Sequence, residues 1–431
     1  MQRKILSDLV KWKNSKGRMP LLLNGARQVG KTYIVNEFGK QEYENLVYIN
    51  LDTNPEVTAI FEGDISPATL ISKLEMHTQE RIRAGKTLLF IDEIQASERA
   101  LLSLKYFCED APQYHVVAAG SLLGVAVNRE KYSFPVGKVD ELYLFPFDFE
   151  EFMWAMDKNL LAEEIKKHYA QNLAMDKGLH NLSLDLYKQY CVIGGMPSVI
   201  LKFKETNSFL AIKDAQQKIM HEYIADMSKY ATPATSIKIR ACYNSIPAQL
   251  AKENHKFQYK LVQKGGTATI FGESLEWLNF AHIVLKCQKI TSGNIPIAVS
   301  AYFPDFKIYM ADVGILTMKS GVPWQILLND IDADKTFMGA VAENYVAQAF
   351  TANNKKLFYW KNENTAEVDF VFQDDVNVVP VEVKSGTNTH SKSLNLFMKQ
   401  YRCPYCIRIS QKNFGFENNI KSVPLYAVFC I

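Results

Sequence analysis

Residues 20–32 read PLLLNGARQVGKT. Leu21 to Leu23 run into Gly25-x-x-x-x-Gly30-Lys31-Thr32, and TYIVNEFGK continues with a helix-compatible pattern. Strand, glycine loop and helix in that order make a phosphate cradle. The glycines let backbone N–H groups wrap a β-phosphate, and the helix N-terminus adds its dipole. Lys31 would reach the β- and γ-phosphates, and the Thr32 hydroxyl would bind Mg²⁺. The expected nucleotide contacts are Gly25, Arg27, Gln28, Val29, Gly30, Lys31, Thr32 and Tyr33.

A cradle of this kind needs an acidic partner on another buried strand. TLLFIDEIQ at 87–95 supplies one, four apolar residues ending in Asp92 and Glu93. Asp92 is placed to hold Mg²⁺ through water, and Glu93 to orient or deprotonate the attacking water. The competing reading, a buried strand capped by a solvated acidic pair, loses ground because the glycine loop lies upstream. HVVAAGS at 115–121 is a further strand. At its tip Ser121 is either a γ-phosphate sensor or part of a plain strand-to-helix turn, and both readings stand. ELYLFPF at 141–147 predicts another strand. Strands alternating with helices across 20–147 predict an α/β domain, a parallel doubly wound sheet with nucleotide at the carboxyl ends of its strands.

The chain has 431 residues, too many for one typical domain, which predicts two to four. Hydrophobic residues at 48% and charged residues at 22% fit a globular protein able to bury a core in each part. No run of 18 apolar residues exists, so no membrane span is expected. The first twenty residues hold basic groups but no apolar core, which argues against a secretory signal. Seven scattered cysteines form no disulfide framework, so the expected compartment is the reducing cytoplasm. Cys403 and Cys406 form CPYC, but no thioredoxin-like βαβ pattern surrounds them, and a structural role is favoured. The net charge of +3 is too small to name a partner.

Gly-x-Arg-Gln-x-Gly-Lys-Thr, Phe-Ile-Asp-Glu-Ile-Gln, Ala-Gly-Ser and Leu-Phe-Pro-Phe-Asp-Phe-Glu-Glu-Phe together resemble a large prokaryotic family of AAA-type ATPases. Its members pair this domain with a carboxyl-terminal domain of poorly defined function, often classed as restriction-endonuclease-like. The resemblance implies ATP and Mg²⁺ as cofactors and makes Arg27 a family feature. Some broader relatives carry an Arg where this chain has Gly137-Lys138, so the transition-state cation is open between Lys138, Arg27, Arg129 and a neighbouring subunit. AAA relatives often assemble into rings, and a homo-oligomer is an expectation on that ground alone.

The ATPase domain is expected over 1–155 and a helical connector over 156–234, interrupted by the tight turn Gly194-Gly195-Met196-Pro197. Between 235 and 265, Lys238, Arg240, Lys252, Lys256, Lys260 and Lys264 face one acid, Glu253. SIPAQLAKENHKF and TATIFGESLEWLNFAHIVLKCQKI resemble a helix-turn-helix with a wing, so 235–335 is read as a basic winged-helix-like domain. Lysines there would contact DNA phosphates through the 238–264 region. The alternatives are a solvated lysine face and a winged helix used for protein contacts. Lys307, Tyr309, Asp312 and Gly314 also match the family, and Asp312 is expected to be a cap or turn ligand without catalysis.

EVDFVFQDDVNVVPVEVKS at 367–385 dominates the last domain, 336–431. Strand alternation sets Val368, Phe370 and Phe372 on one face with Asp369 on the other. It likewise opposes Val379, Val381 and Val383 to Glu382 and Lys384, so three polar groups can share one side. A PD-(D/E)XK nuclease needs that set: two carboxylates, Asp369 and Glu382, for a Mg²⁺, and Lys384 to orient the nucleophile. The family resemblance adds Glu343 on the preceding helix as a third ligand, and Lys392, in SKSL at the next helix start, is a candidate phosphate contact. A solvated strand, or an endonuclease-like fold without activity, explains the same residues.

The expected whole is an ATPase whose hydrolysis repositions its rear domains on nucleic acid, with metal-dependent DNA cleavage as a further activity. The alternative is a signalling or regulatory ATPase whose rear half binds protein or DNA without catalysis.

Overall fold

The leucine run before the glycine loop forms β1 (Leu21–Asn24), with all four residues buried. In the computed structural model, which describes residues 1–121, 135–229, 231–252, 255–329, 334–362, 366–387 and 392–431, β1 lies inside a five-stranded sheet. Its other strands are β2 (Asn45–Asn50), β3 (Thr87–Asp92), β4 (His115–Ala119) and β5 (Asp140–Tyr143), in the order β2-β3-β4-β1-β5. Every pairing is parallel. Strands β1, β3 and β4 are buried along their whole length, as interior parallel strands covered on both faces must be. The edge β2 mixes buried and exposed positions, and the edge β5 alternates half-buried and exposed ones.

The helix Lys31–Glu42 leaves the loop with Gly30 at φ 95°, a left-handed value that glycine adopts without cost. Ser97 caps the helix Glu98–Asp110 by accepting the Ala100 N–H, and Leu104 and Phe107 of that helix join Leu22, Leu89, Ile91 and Val116 in one core. This is the parallel α/β sheet of a P-loop domain. Its compact unit comprises residues 2–145 and Phe280–His282.

A second compact unit holds 146–279 and 283–431. It opens with helices, the first of which, Phe149–Ala155, carries a complete capping box between Asp148 and Glu151. Helices Pro233–Leu250, Tyr259–Val262 and Ala268–Phe280 precede the antiparallel pair β6 (Val284–Ile290) and β7 (Ala301–Met310). That pair continues into β8 (Phe358–Lys361) and β9 (Glu367–Val368), giving one sheet ordered β7-β6-β8-β9. Residues from both sides of 335 thus build the same sheet. A second sheet, β10-β11-β12-β14-β13, is made from β10 (Phe370–Asp374), β11 (Asn377–Val383), β12 (Cys406–Ser410), β13 (Gly415–Glu417) and β14 (Ile420–Pro424). The helix Lys335–Ala352 is buried at every position from Ala340 to Phe350, the pattern of a helix enclosed on all sides.

One expectation from strand alternation is corrected here. β9 and β10 belong to different sheets, and the break falls on Asp369. Val368 therefore packs with Val371, Leu394 and Phe397, while the Phe370 and Phe372 rings lie against Phe350. Period-two counting fails across a residue where the strand changes sheet. The solvated-strand alternative also fails for Glu382, which is buried.

Asp312 caps the helix Val313–Ser320 through the Ile315 N–H at 2.9 Å and accepts the Gly195 N–H at 2.6 Å. It is the structural ligand that the sequence suggested. A Cβ on Gly194 would lie 2.2 Å from Asp312 Oδ1, and one on Gly314 would lie 2.5 Å from the Gly194 nitrogen, so the turn needs both glycines. Burial first, against several N–H donors, pushes the Asp312 carboxyl up to about 6. Gly314→Ala is expected to destabilise this unit by about 1–3 kcal/mol, because backbone must move. Gly272→Ala, where the nearest contact to the new Cβ is 3.9 Å, should be neutral or stabilise the helix by up to about 1 kcal/mol. Urea titration of both variants checks the contrast.

Candidate functional site

At the carboxyl end of β1 the glycine loop closes on itself. The Lys31 ammonium is buried and donates to the Gly25 and Ala26 carbonyls at 2.9 and 2.8 Å. Gly25 sits at φ 146°, and a Cβ there would fall 2.2 Å from the Leu144 carbonyl oxygen, so no other residue fits. Val29 is fully buried, Arg27 half-buried, and Gln28 and Tyr33 exposed. The Thr32 hydroxyl donates to Asp92 Oδ2 at 2.7 Å, joining the start of the loop helix to the end of β3.

β4 lies between β1 and β3, so its tip falls between the glycine loop and the acidic pair. Ser121 follows that tip, and its buried hydroxyl has no hydrogen-bond partner among the described residues. A buried hydroxyl of this kind is costly unless another group satisfies it. Glu93 stands next to Asp92 at φ 52° and heads the short turn Ile94–Ala96. Thr32 and Asp92 fit a Mg²⁺ site, a hydroxyl and a carboxylate already in contact, and the glycine loop fits a triphosphate.

Three residues at this site escaped the sequence reading. The Tyr48 hydroxyl on β2 donates to Asp92 Oδ2 at 3.2 Å. The Gln95 amide donates to Glu93 Oε2. His282, distant in sequence, packs its ring against Tyr143 at 5.3 Å and Phe145 at 6.4 Å. Burial, then the Lys31 ammonium, push His282 down to about 4, so it is neutral at pH 7. Only Gln95 lay within a quoted motif; the other two are brought in by sheet order and chain return. Of the cation candidates, Lys138 pairs with Glu109 at 2.9 Å on the surface, and Arg129 lies outside the described residues.

In the second unit a buried lysine holds one member of the expected acidic set, Glu343. Lys307 on β7 is 1% exposed and pairs with Glu367 at 2.7 Å and Glu343 at 3.4 Å. Glu343 Oε2 also meets His255 Nδ1 at 3.0 Å and accepts the Tyr309 hydroxyl at 2.9 Å. Burial alone would raise the Glu343 carboxyl, but Lys307 and then His255 outweigh it and hold it well below the usual range. For Lys307 burial opposes the charge, and Glu343, Tyr309, Glu367 and Asp369 more than restore it.

Asp369 accepts the Val383 N–H at 2.8 Å, at the end of β11. Burial first, then the Glu382 and Glu343 charges, push its carboxyl well up. Lys384 pairs with Glu382 Oε1 at 2.6 Å, while Glu382 Oε2 is buried with no partner among the described residues. Glu343, Asp369, Glu382 and Lys384 therefore act on one another electrostatically. Among the described residues no three His, Cys, Asp or Glu side chains form a group that could hold a metal ion.

In the basic stretch Lys238, Arg240, Lys252, Lys260 and Lys264 are exposed, whereas Lys256 pairs with Asp305. Glu253 lies outside the described residues. Lys392 begins the helix Lys392–Tyr401. Burial raises the Cys403 thiol to about 11 and Cys406 to about 12, the opposite of a reactive pair. No described helix is long and apolar enough to cross a membrane.

Residues 17–153 match the family model of an AAA domain. This segment has the P-loop AAA-type fold. Residues 184–325 match a domain of unknown function (DUF8612), and 338–428 match a second (DUF4143). No curated protein matches the chain. Similar solved structures include the Walker-type ATPase PABY2304 of Pyrococcus abyssi, with TM-score 0.44 and 14% identity over 74% of this chain and 95% of that one. The Aeropyrum pernix ORC2 protein in its ADPNP–ADP complexes has TM-score 0.39 and 13% identity over 79% and 94%. The Aeropyrum pernix ORC1 protein in complex with DNA has TM-score 0.30 and 12% identity over 75% and 91%.

Lys307→Met removes the ammonium shared by buried Glu343 and half-buried Glu367, leaving them His255, Tyr309 and Lys361, and a loss of up to about 3–5 kcal/mol is expected for the second unit. Adding Glu367→Gln should recover part of it, since the two changes share one ion pair. Chemical denaturation followed by tryptophan fluorescence measures both.

Proposed function

We propose that the chain is a Mg²⁺-dependent ATP hydrolase whose second unit engages nucleic acid. The observation that carries the hydrolase reading is the Thr32–Asp92 hydrogen bond at 2.7 Å, beside the buried Lys31 and Glu93. Lys31 would exchange the loop carbonyls for β- and γ-phosphate oxygens, and loop N–H groups from Gly25 to Thr32 would hold the β-phosphate. Thr32 and Asp92 would hold Mg²⁺, which when bound would neutralise charge on the phosphates. Glu93 would take a proton from the attacking water, and Ser121 would donate its hydroxyl to the γ-phosphate. Arg27 and Lys138 stay candidates for the transition-state cation.

The nucleic-acid part rests on five exposed cations from Lys238 to Lys264, next to a helix–helix–hairpin sequence read as winged-helix-like. Homo-oligomerisation and a cytoplasmic setting belong to this proposal on the family resemblance and the cysteine pattern. The alternative, a regulatory ATPase whose rear half binds protein, predicts no such affinity for DNA.

A second reading adds metal-dependent cleavage at Asp369, Glu382 and Lys384. It is favoured by the unpartnered Glu382 Oε2 and by the mutual repulsion of Asp369 and Glu382, which a divalent cation would relieve. With two protein carboxylates, water and phosphate would complete its shell. Glu343 would act on this site through its field, being already held by His255 and Tyr309.

Lys31→Ala should abolish ATP binding, whereas Glu93→Gln should bind ATP and lose turnover by about 10²–10⁴-fold. Phosphate release and nucleotide titration separate the two. DNA affinity should fall steeply with salt, and Lys260→Ala/Lys264→Ala should reduce the log–log slope by about 1 per lost contact. A flat salt response, by filter binding, would leave the regulatory alternative. Mg²⁺- or Mn²⁺-dependent nicking that vanishes in Asp369→Ala while ATP hydrolysis persists would establish cleavage.

A further inference from the structure

Gln95 ends the stretch Phe90-Ile91-Asp92-Glu93-Ile94-Gln95, and the hydrolase reading gives it no task. Its amide N–H₂ donates to Glu93 Oε2, while its carbonyl oxygen Oε1 is buried and accepts no hydrogen bond from any described residue. The orientation is fixed by chemistry. An ionised carboxylate is only an acceptor, so the amide must present its nitrogen and turn its oxygen elsewhere. Both residues belong to one rigid feature, the short turn Ile94–Ala96 with Glu93 at its head in the left-handed region. A buried acceptor beside a carboxylate, with both at the end of β3, is a pair made for one donor with two protons.

We infer that Gln95 is a catalytic residue that holds the attacking water jointly with Glu93. The inference rests on the proposed hydrolysis of ATP at Glu93. The water donates one proton toward the Glu93 carboxylate and the other to Gln95 Oε1, which points its lone pair at the γ-phosphorus. The water oxygen forms the new bond to that phosphorus as the bond to the β–γ bridging oxygen breaks, and its electron pair leaves on ADP. Glu93 takes the first proton and later returns it to solvent. The second proton stays on the oxygen that becomes part of inorganic phosphate, and Gln95 holds it through the attack. The Gln95 N–H₂ meanwhile keeps the Glu93 carboxylate from turning away. A glutamine that orients attacking water is a role the chemistry of phosphoryl transfer accommodates.

The test uses the full chain, with Gln95→Met to keep size and remove both polar functions, and Gln95→Ala beside it. Three quantities are read: single-turnover hydrolysis, affinity for a fluorescent ATP analogue, and affinity for ADP with aluminium fluoride. Both variants are expected to slow hydrolysis by about 10–100-fold, hold the ATP-analogue affinity within about twofold of the parent, and lose affinity for the aluminium fluoride complex in parallel with rate. Retained analogue binding also shows that the variants fold. Hydrolysis by Gln95→Met within about twofold of the parent overturns the inference, as does an equal loss of analogue affinity and rate, which marks a structural role. Glu93→Gln is measured alongside: if it turns over normally, the hydrolase reading at Glu93 has failed. If it is inactive while Gln95→Met is not, only the assignment of Gln95 has failed.

Discussion

A lysine ammonium taken out of water must be met by negative charge, and Lys307 at 1% exposure imposes that demand on the 146–431 unit. Its partners come from three places: Glu343 from the buried helix, Glu367 from β9, and the Asp369 charge from the break between the two sheets. Burial alone does not fix which face of the Lys335–Ala352 helix points at β7, since every residue from Ala340 to Phe350 is buried. The ion pair to Glu343 does, and the Asn344 side chain, exchanging hydrogen bonds with both polar groups of the Met310 backbone, sets the same register. Polar groups here specify an arrangement that packing would leave degenerate.

The ATPase domain is ordered by a backbone constraint. Gly25 lies so close to the Leu144 carbonyl that only a missing side chain lets β1 and the chain after β5 approach. The interleaved strand order then puts three strand ends side by side, so loop, Ser121 and acidic pair converge although they are far apart in sequence. The chemistry of each residue is ordinary; its placement is what the sheet supplies.

That difference explains what could be read beforehand. The glycine loop and the Asp92-Glu93 pair are short motifs whose meaning sits within a few residues, and the strands carrying them are uninterrupted apolar runs. Tyr48 on an edge strand and His282 beyond residue 280 depend on distant pairing and left no local mark. Gln95 did lie in a visible motif, but its use depends on which of its atoms is satisfied. In the second unit the four polar residues were found, and their surroundings were not. Alternation was counted straight through Asp369, where the chain changes sheet, and nothing near Lys307 in sequence announces that it is buried between two glutamates.

The two polar centres differ in what still needs an outside partner. Around the glycine loop, Ser121 and Gln95 each keep a buried polar atom unsatisfied by described residues, so a bound triphosphate and water would remove an existing cost. Around Asp369, positive charge is already built in: Lys307 is shared between Glu343 and Glu367, Lys361 also pairs with Glu367, and Lys384 pairs with Glu382. On the cleavage reading, a divalent cation arriving there would meet two ammonium groups and gain chiefly from Glu382 Oε2, which has no partner among the described residues. On the cleavage reading such a site binds its metal weakly until a phosphate adds negative charge, which ties metal occupancy to nucleic acid already held.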